Sequence, residues 1–234
     1  MAITKITRDA LNTGIDDNSD ATAITIDSSE NCGFGTTSPT YRVHSVAGSG
    51  SGIAGYFRNS AGSGNGTALV ARGGANNSGA PTFIVQDYNG NEDFKVDGLG
   101  RVTTPSQPSF LARGLAGQPA VGSVFVFNGA DYNRGNCYST SNGRFTAPVN
   151  GFYMFTCHVM GDSTNARLMI RLFKNGTHMT QGSSSSNGTQ YQDSRIAFMM
   201  YMAAGDYAEV KNQGHKNRYD NGVTHNHFAG HLLG

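Results

Sequence analysis

The densest set of metal-capable side chains lies near the C-terminus, at His225-Asn226-His227. On a strand, residues two apart share a face, so both imidazoles would point the same way, and His231 joins them if the strand is regular. Repeated about a threefold axis, one such pair supplies six nitrogens, a set suited to zinc, nickel, copper or iron. The alternative is a histidine pair in an interface or loop that holds no metal. The spacing alone does not choose between them.

Other chemistry is thinly represented. Gly50-Ser51-Gly52-Ile53-Ala54-Gly55 spells G-x-G-x-x-G. A dinucleotide site would need a helix next and an acidic residue about 20 positions on. The following Tyr56-Phe57-Arg58-Asn59-Ser60-Ala61-Gly62 is not a helix, so the glycines read as turns. Asp87, Glu92 and Asp93 are the carboxylates of a conceivable glycosidase pair. They fall in a hairpin-like turn, where solvation accounts for them. Serine, histidine and aspartate are abundant, but none sits in a constraining nucleophile motif. Neither an enzyme nor a bound cofactor is expected. Recognition chemistry is better represented. The polar loops at 181–191 and 212–221 carry Tyr191, His215, Lys216, Arg218 and Tyr219. Tyrosine and cations anchor contacts well, and small polar residues adapt around them.

The elements that must position these residues are short strands. The chain has 234 residues, with 32 glycines and only 14% charged side chains. Thr, Ser, Asn, Phe and Tyr are plentiful while Leu, Ile and Val are sparse, a pattern of strands joined by turns. Net charge is +1, without the basic excess of a nucleic-acid binder. No apolar run approaches the roughly 20 residues of a membrane span. Met1-Ala2-Ile3-Thr4-Lys5 lacks the apolar core of a cleavable leader, so export by that route is not expected. Cys32, Cys137 and Cys157 are too widely spaced for a disulfide framework or a zinc motif, and are expected to be free. Asn175-Gly176-Thr177 and Asn187-Gly188-Thr189 have glycosylation form and read as turns.

Three regions follow. Residues 1–22 form a polar arm whose Ile3, Ile6 and Leu11 would dock on a partner. Residues 23–104 form a Gly-rich β region. Ile24-Thr25-Ile26 alternates, and apolar islands at 53–57 and 68–71 read as two short strands. Segments 83–85 and 93–97 read as further strands. Thr104-Pro105-Ser106-Gln107-Pro108 marks a boundary, and 105–234 form a C-terminal domain. The middle strands bury too little alone. Three chains winding together would cover one another's edges. The expected fold is all-β, a jelly-roll sandwich preceded by an extended, intertwined trimeric stalk.

Two resemblances sharpen this reading. The stretch Asn31-Cys32-Gly33-Phe34-Gly35-Thr36-Thr37-Ser38-Pro39-Thr40-Tyr41-Arg42-Val43-His44 is similar to a motif of phage tail fibres and trimeric bacterial surface proteins. The run Phe94-Lys95-Val96-Asp97-Gly98-Leu99-Gly100-Arg101-Val102 also looks like phage fibre sequence. Residues 132–158, with Gly143-Arg144-Phe145-Thr146-Ala147-Pro148-Val149-Asn150-Gly151 at their centre, resemble the signature of the complement C1q globular head. That head is a tumour-necrosis-factor-like jelly roll. Val124–Asn128 looks like its second strand. Leu172-Phe173-Lys174-Asn175-Gly176, Gly205-Asp206 and Phe228-Ala229-Gly230-His231-Leu232-Leu233 match further family segments in order. His231 stands where the family has an aromatic. The resemblance implies trimers that bind other molecules through surface loops. Some phage fibres hold axial metal on His-x-His pairs, which would assign that role to His225 and His227.

The expected function is therefore that of a structural fibre protein of a tailed bacteriophage, located on the virion. Its homotrimeric head would bind a host-surface glycan or protein, and its arm other virion structural proteins. Nucleic-acid binding and membrane insertion are not expected. The alternatives are a capsid-decorating or head-fibre protein and, from another class, a secreted complement-like binding protein.

Overall fold

The computed structural model describes residues 24–47, 53–58, 67–74, 76–115, 117–161, 167–185, 191–214 and 224–234. Among them every regular element is a strand. The chain divides into two compact units, Met1–Val70 and Ala71–Gly234. In the first, β1 (Ile24–Ile26) pairs antiparallel with β2 (Cys32–Phe34), which pairs parallel with β3 (Val43–Ser45). The second unit opens with an antiparallel meander of β4 (Pro81–Gln86), β5 (Glu92–Asp97) and β6 (Val102–Thr103).

One turn design closes three of these connections. Asp27 Oδ1 accepts the N–H groups of Ser29 and Asn31 at 2.8 and 3.0 Å, and Asn31 Nδ2 donates to Oδ2 at 3.1 Å. Asp87 does the same with Asn89 and Asn91. Asp97 repeats it with Leu99 and Arg101, whose Nε replaces the amide donor. The fourth residue of each turn has positive φ: Glu30 at 63°, Gly90 at 83° and Gly100 at 81°. An aspartate accepting from backbone two and four residues on is a side-chain imitation of a turn. The unit D-x-x-(G/E)-(N/R) thus occurs three times between 27 and 101.

The strands expected at 53–57 and 68–71 are not formed. Residues 53–57 and 68–71 are irregular and exposed, with Ile53 and Val70 each 76% accessible. These islands are only a few residues long, lie among glycines, and meet no partner strand among the described residues.

Ten strands build the sandwich: β7 (Ser109–Leu115), β8 (Phe127–Arg134), β9 (Tyr138–Ser139), β10 (Arg144–Thr146), β11 (Gly151–Gly161), β12 (Arg167–Lys174), β13 (Thr177–Ser185), β14 (Gln192–Met202), β15 (Tyr207–Asn212) and β16 (His227–Leu232). They form two five-stranded sheets, ordered β13-β12-β15-β10-β9 and β14-β11-β16-β7-β8. The expected second strand begins later than 124. Phe125 N–H still donates to Val210 of β15, and Val124 bridges Lys211. Only from Phe127 does the chain pair with β7.

Between the sheets lies an aromatic core. The Phe110 ring stacks on Tyr138 at 4.7 Å and meets Phe145 at 5.5 Å and Phe228 at 5.0 Å. Phe145 meets Phe155 edge-on at 5.1 Å. Edge and offset contacts add to the area term of such rings. The buried Tyr138 hydroxyl accepts from Phe127 N–H and donates to its carbonyl, so no polar atom is stranded there. Gly230 lets this core close: a Cβ there would lie 2.8 Å from both Phe110 and Phe155 ring atoms. At Asn142-Gly143 only the glycine takes positive φ (74°), while Asn142 Oδ1 accepts from Arg144 N–H. Asn175 and Gly176 both take positive φ in the β12–β13 hairpin.

Candidate interaction surface

Strand β11 alternates strictly. Tyr153, Phe155, Cys157 and Val159 enter the core, while Phe152, Met154, Thr156 and His158 face outward. Its ladders with β14 and β16 turn this alternation into rows across one sheet face. The first row pairs Phe152 with Tyr201, rings 5.6 Å apart and both about half exposed. The next places Met154 between Met199 and His231, and the third places Thr156 between Ala197 and Ala229. The last runs Arg195, His158, His227, Arg113 across four strands. The face grades from apolar at one end to imidazole and guanidinium at the other.

The charged end is nearly balanced. Arg195 pairs with Asp193 at 2.5 Å and Arg113 with Asp131 at 2.6 Å. The His158 and His227 rings lie 5.7 Å apart. His158 Nε2 is buried without a hydrogen-bond partner, 3.5 Å from Asp193 Oδ2. Burial holds the His158 pKa below the ordinary histidine value, aided by the Arg195 charge. Burial does the same at His227, aided by His158 and Arg113. Burial thus disfavours the charged form of both rings. A pocket of about 490 Å³ opens between His158, Arg195 and His227.

The sequence-expected residues fall as follows. His225 lies in the turn ahead of β16, with Nδ1 3.3 Å from Thr224 Oγ1. The strand starts at His227, so its outward face is His227, Ala229 and His231, without His225. The chain leaves its turn only at that residue, with Asn226 buried and its Oδ1 accepting from Met160 N–H. His158 is the histidine beside His227, and it was not singled out from the sequence. Strict alternation of β11 places His158 on the outward face, and the register against β16 sets it beside His227. Among the described residues no three His, Cys, Asp or Glu side chains of one chain converge on a metal-sized site. Tyr191 is 57% exposed just ahead of β14. His215, Lys216, Arg218 and Tyr219, and Ile3, Ile6 and Leu11, lie outside the described residues.

The family model for the C1q domain matches residues 110–233, over half of the chain. The chain belongs to the C1q-domain family, and its sandwich is a jelly roll of that class. Domains of this class form homotrimers and bind receptors. Among solved structures, the globular domain of zebrafish complement 1qA protein is 18% identical, covering 55% of this chain and 98% of that one at a TM-score of 0.45. Murine APRIL at pH 5.0 is 11% identical, covering 54% and 99% at 0.47. The Eiger TNF from S. frugiperda is 11% identical, covering 55% and 94% at 0.47.

Proposed function

We propose that this protein is a trimeric fibre component of a tailed-phage particle whose C1q-type head recognises a host-surface molecule. The observation that carries the reading is the amount of apolar surface a single chain leaves in water. Ile26, Val43, Ile53, Tyr56 and Val102 before the sandwich, and Phe152, Met199 and Tyr201 on it, are about half exposed or more. Contiguous exposed apolar surface marks an interaction site. Copies of the same chain would cover it in both regions, with residues 23–104 as the stalk. The fibre-like sequences at 31–44 and 94–102 support the phage context. Three heads per fibre would raise modest receptor affinity by avidity. The test is adsorption. Purified protein should block attachment of the phage that encodes it, and antibody against the head should label the tail in electron micrographs. Label on the capsid instead would make it a head fibre, and no label on particles would overturn the reading.

A second reading has one observation behind it, the C1q-domain match itself. It makes the chain a secreted complement-like binding protein. Recovery from culture medium, unattached to any particle, would favour it.

A further inference from the structure

The net charge of +1 conceals an uneven distribution. Strands β9, β10, β12, β13 and β15 carry Arg144, Arg167, Arg171, Lys174 and Lys211 against one acid, Glu209. The strands of the opposite sheet are near balance, with Arg113, Arg134 and Arg195 against Asp131 and Asp193. Lys174 is committed at the end of its strand, to Asp206 and to the Tyr201 carbonyl.

The other four cations share the outward face. Ala208, Val210 and Asn212 are buried, which turns Glu209 and Lys211 outward. The register sets Arg144 opposite Glu209, Lys211 opposite Arg171, and Arg171 opposite Gln181. Arg167 lies four residues from Arg171 on the same face, about 13 Å along the strand. The one acid carried by these five strands is out of reach of an outside group. Glu209 is 1% exposed beneath Arg144 Nε at 2.7 Å and Lys211 Nζ at 3.1 Å.

Two features mark this face as a binding surface. Like charges directly opposite on a ladder destabilise a sheet. Arg171 and Lys211 are such a pair: Glu209 compensates Lys211 at 3.1 Å, but among the described residues no carboxylate pairs with Arg171. The cations are also oriented: Arg144 lies 4.2 Å over the Tyr207 ring, Lys211 lies 4.8 Å over Phe173, and Arg171 Nε is held by Gln181 at 2.9 Å.

The surrounding chemistry selects the partner. The outward rings Tyr207 and Phe173 each have a cation on one face, and Tyr138 and Phe145 are buried, which leaves no clear platform for stacking nucleobases. None of the exposed large apolar side chains belongs to these strands, so no anchor enters a membrane. Gln181, Ser183 and Ser185 alternate beside the arginines and offer hydrogen bonds to hydroxyl groups. We propose that the outward face of this sheet binds a linear acidic polysaccharide, with Arg167 and Arg171 gripping its carboxylate or sulfate groups. Guanidinium forks suit such groups. This deepens the proposed receptor role and rests on it only for the gain from three copies.

The test uses the full chain with dextran sulfate as probe and uncharged dextran as the matched control. Binding to dextran sulfate should weaken steeply between about 50 and 200 mM salt, and dextran should not bind. The variant R167Q/R171Q leaves the Glu209 cluster intact and should bind about tenfold more weakly, with unchanged mass and a melting temperature no lower than that of the wild type. Equal binding by the variant, equal binding of dextran, or tighter binding of oligothymidylate or anionic vesicles than of dextran sulfate would overturn the proposal. A single-chain mass with arginine-dependent binding retained would sink the trimeric fibre reading and leave this surface standing.

Discussion

His158 and His227 sit directly opposite one another on the β11–β16 ladder, rings 5.7 Å apart, flanked by Arg195 on one side and Arg113 on the other. Burial and these cations lower both pKa values from 6.5. Below pH 6.5 the unfolded chain therefore binds more protons than the folded one. The stabilising effect is complete above pH 6.5, falls as pH drops toward the lowered folded values, and then levels off. Neighbouring chains laid over this face, as proposed, would deepen the burial. Trimer mass by sedimentation should be steady above pH 7 and fall on acidification through 6.5, and H158Q/H227Q should flatten that dependence. An unchanged profile in the variant would remove the histidine row from the account.

The apolar end of the same face gives a different variant. Phe152→Asp places a charge where three copies would otherwise bury the exposed half of an aromatic ring, worth about 1 kcal/mol for each copy. Phe152 is already half exposed in one chain, so the fold itself should persist. Circular dichroism should be unchanged while light scattering shows single chains. A trimer of unchanged stability would place the contact elsewhere.

Gly230→Ala tests the core. The added methyl lies 2.8 Å from two rings that are themselves fully buried. Overpacking of this kind costs about 1–3 kcal/mol. Chemical denaturation should show a lower midpoint with an unchanged slope. A midpoint equal to the wild type would mean the rings move aside freely.

The thiols should differ sharply. Burial pushes the Cys137 thiol up to about 11 and Cys157 higher still, so neither is a nucleophile at neutral pH. Cys32 is only half-buried. In the folded protein a thiol reagent should label Cys32 alone, and all three after denaturation. Rapid labelling of Cys157 would show the core opening on the reaction timescale.

The Asp97 turn offers an acid-side test. Hydrogen bonds from Arg101 and Leu99 hold its carboxyl below the ordinary aspartate value of 3.8. The turn's contribution is present above that value and is lost as pH falls through the lowered one. Asp97→Ala should lower the melting temperature at pH 7 and narrow the gap to wild type in strong acid. Equal melting temperatures at pH 7 would show that the backbone closes this turn alone.

Much of the sandwich was legible because its signals are local. Pro148, Gly151 and Asn175-Gly176 punctuate the chain where strands end, and the alternation from Phe152 assigns both faces of β11. The Asp27, Asp87 and Asp97 turns were legible in principle, yet their middle residues differ and the repeat went unread. The islands at 53–57 and 68–71 have strand composition but pair with no strand among the described residues, and pairing is not a property of a segment alone. The His158–His227 pair depends on the register between strands 69 residues apart in sequence, which no local pattern states. The basic face was hidden for a related reason. Arg144, Arg167, Arg171 and Lys211 are scattered along the chain and meet only when β10, β12 and β15 align.

The mass of the 234-residue chain in solution at neutral pH is the most direct test of the trimer. Light scattering should return three times the 24.7 kDa of one chain, unchanged by a strong chelator. A stable species of one chain mass would contradict the trimer and leave the exposed apolar rows without the partner assigned to them.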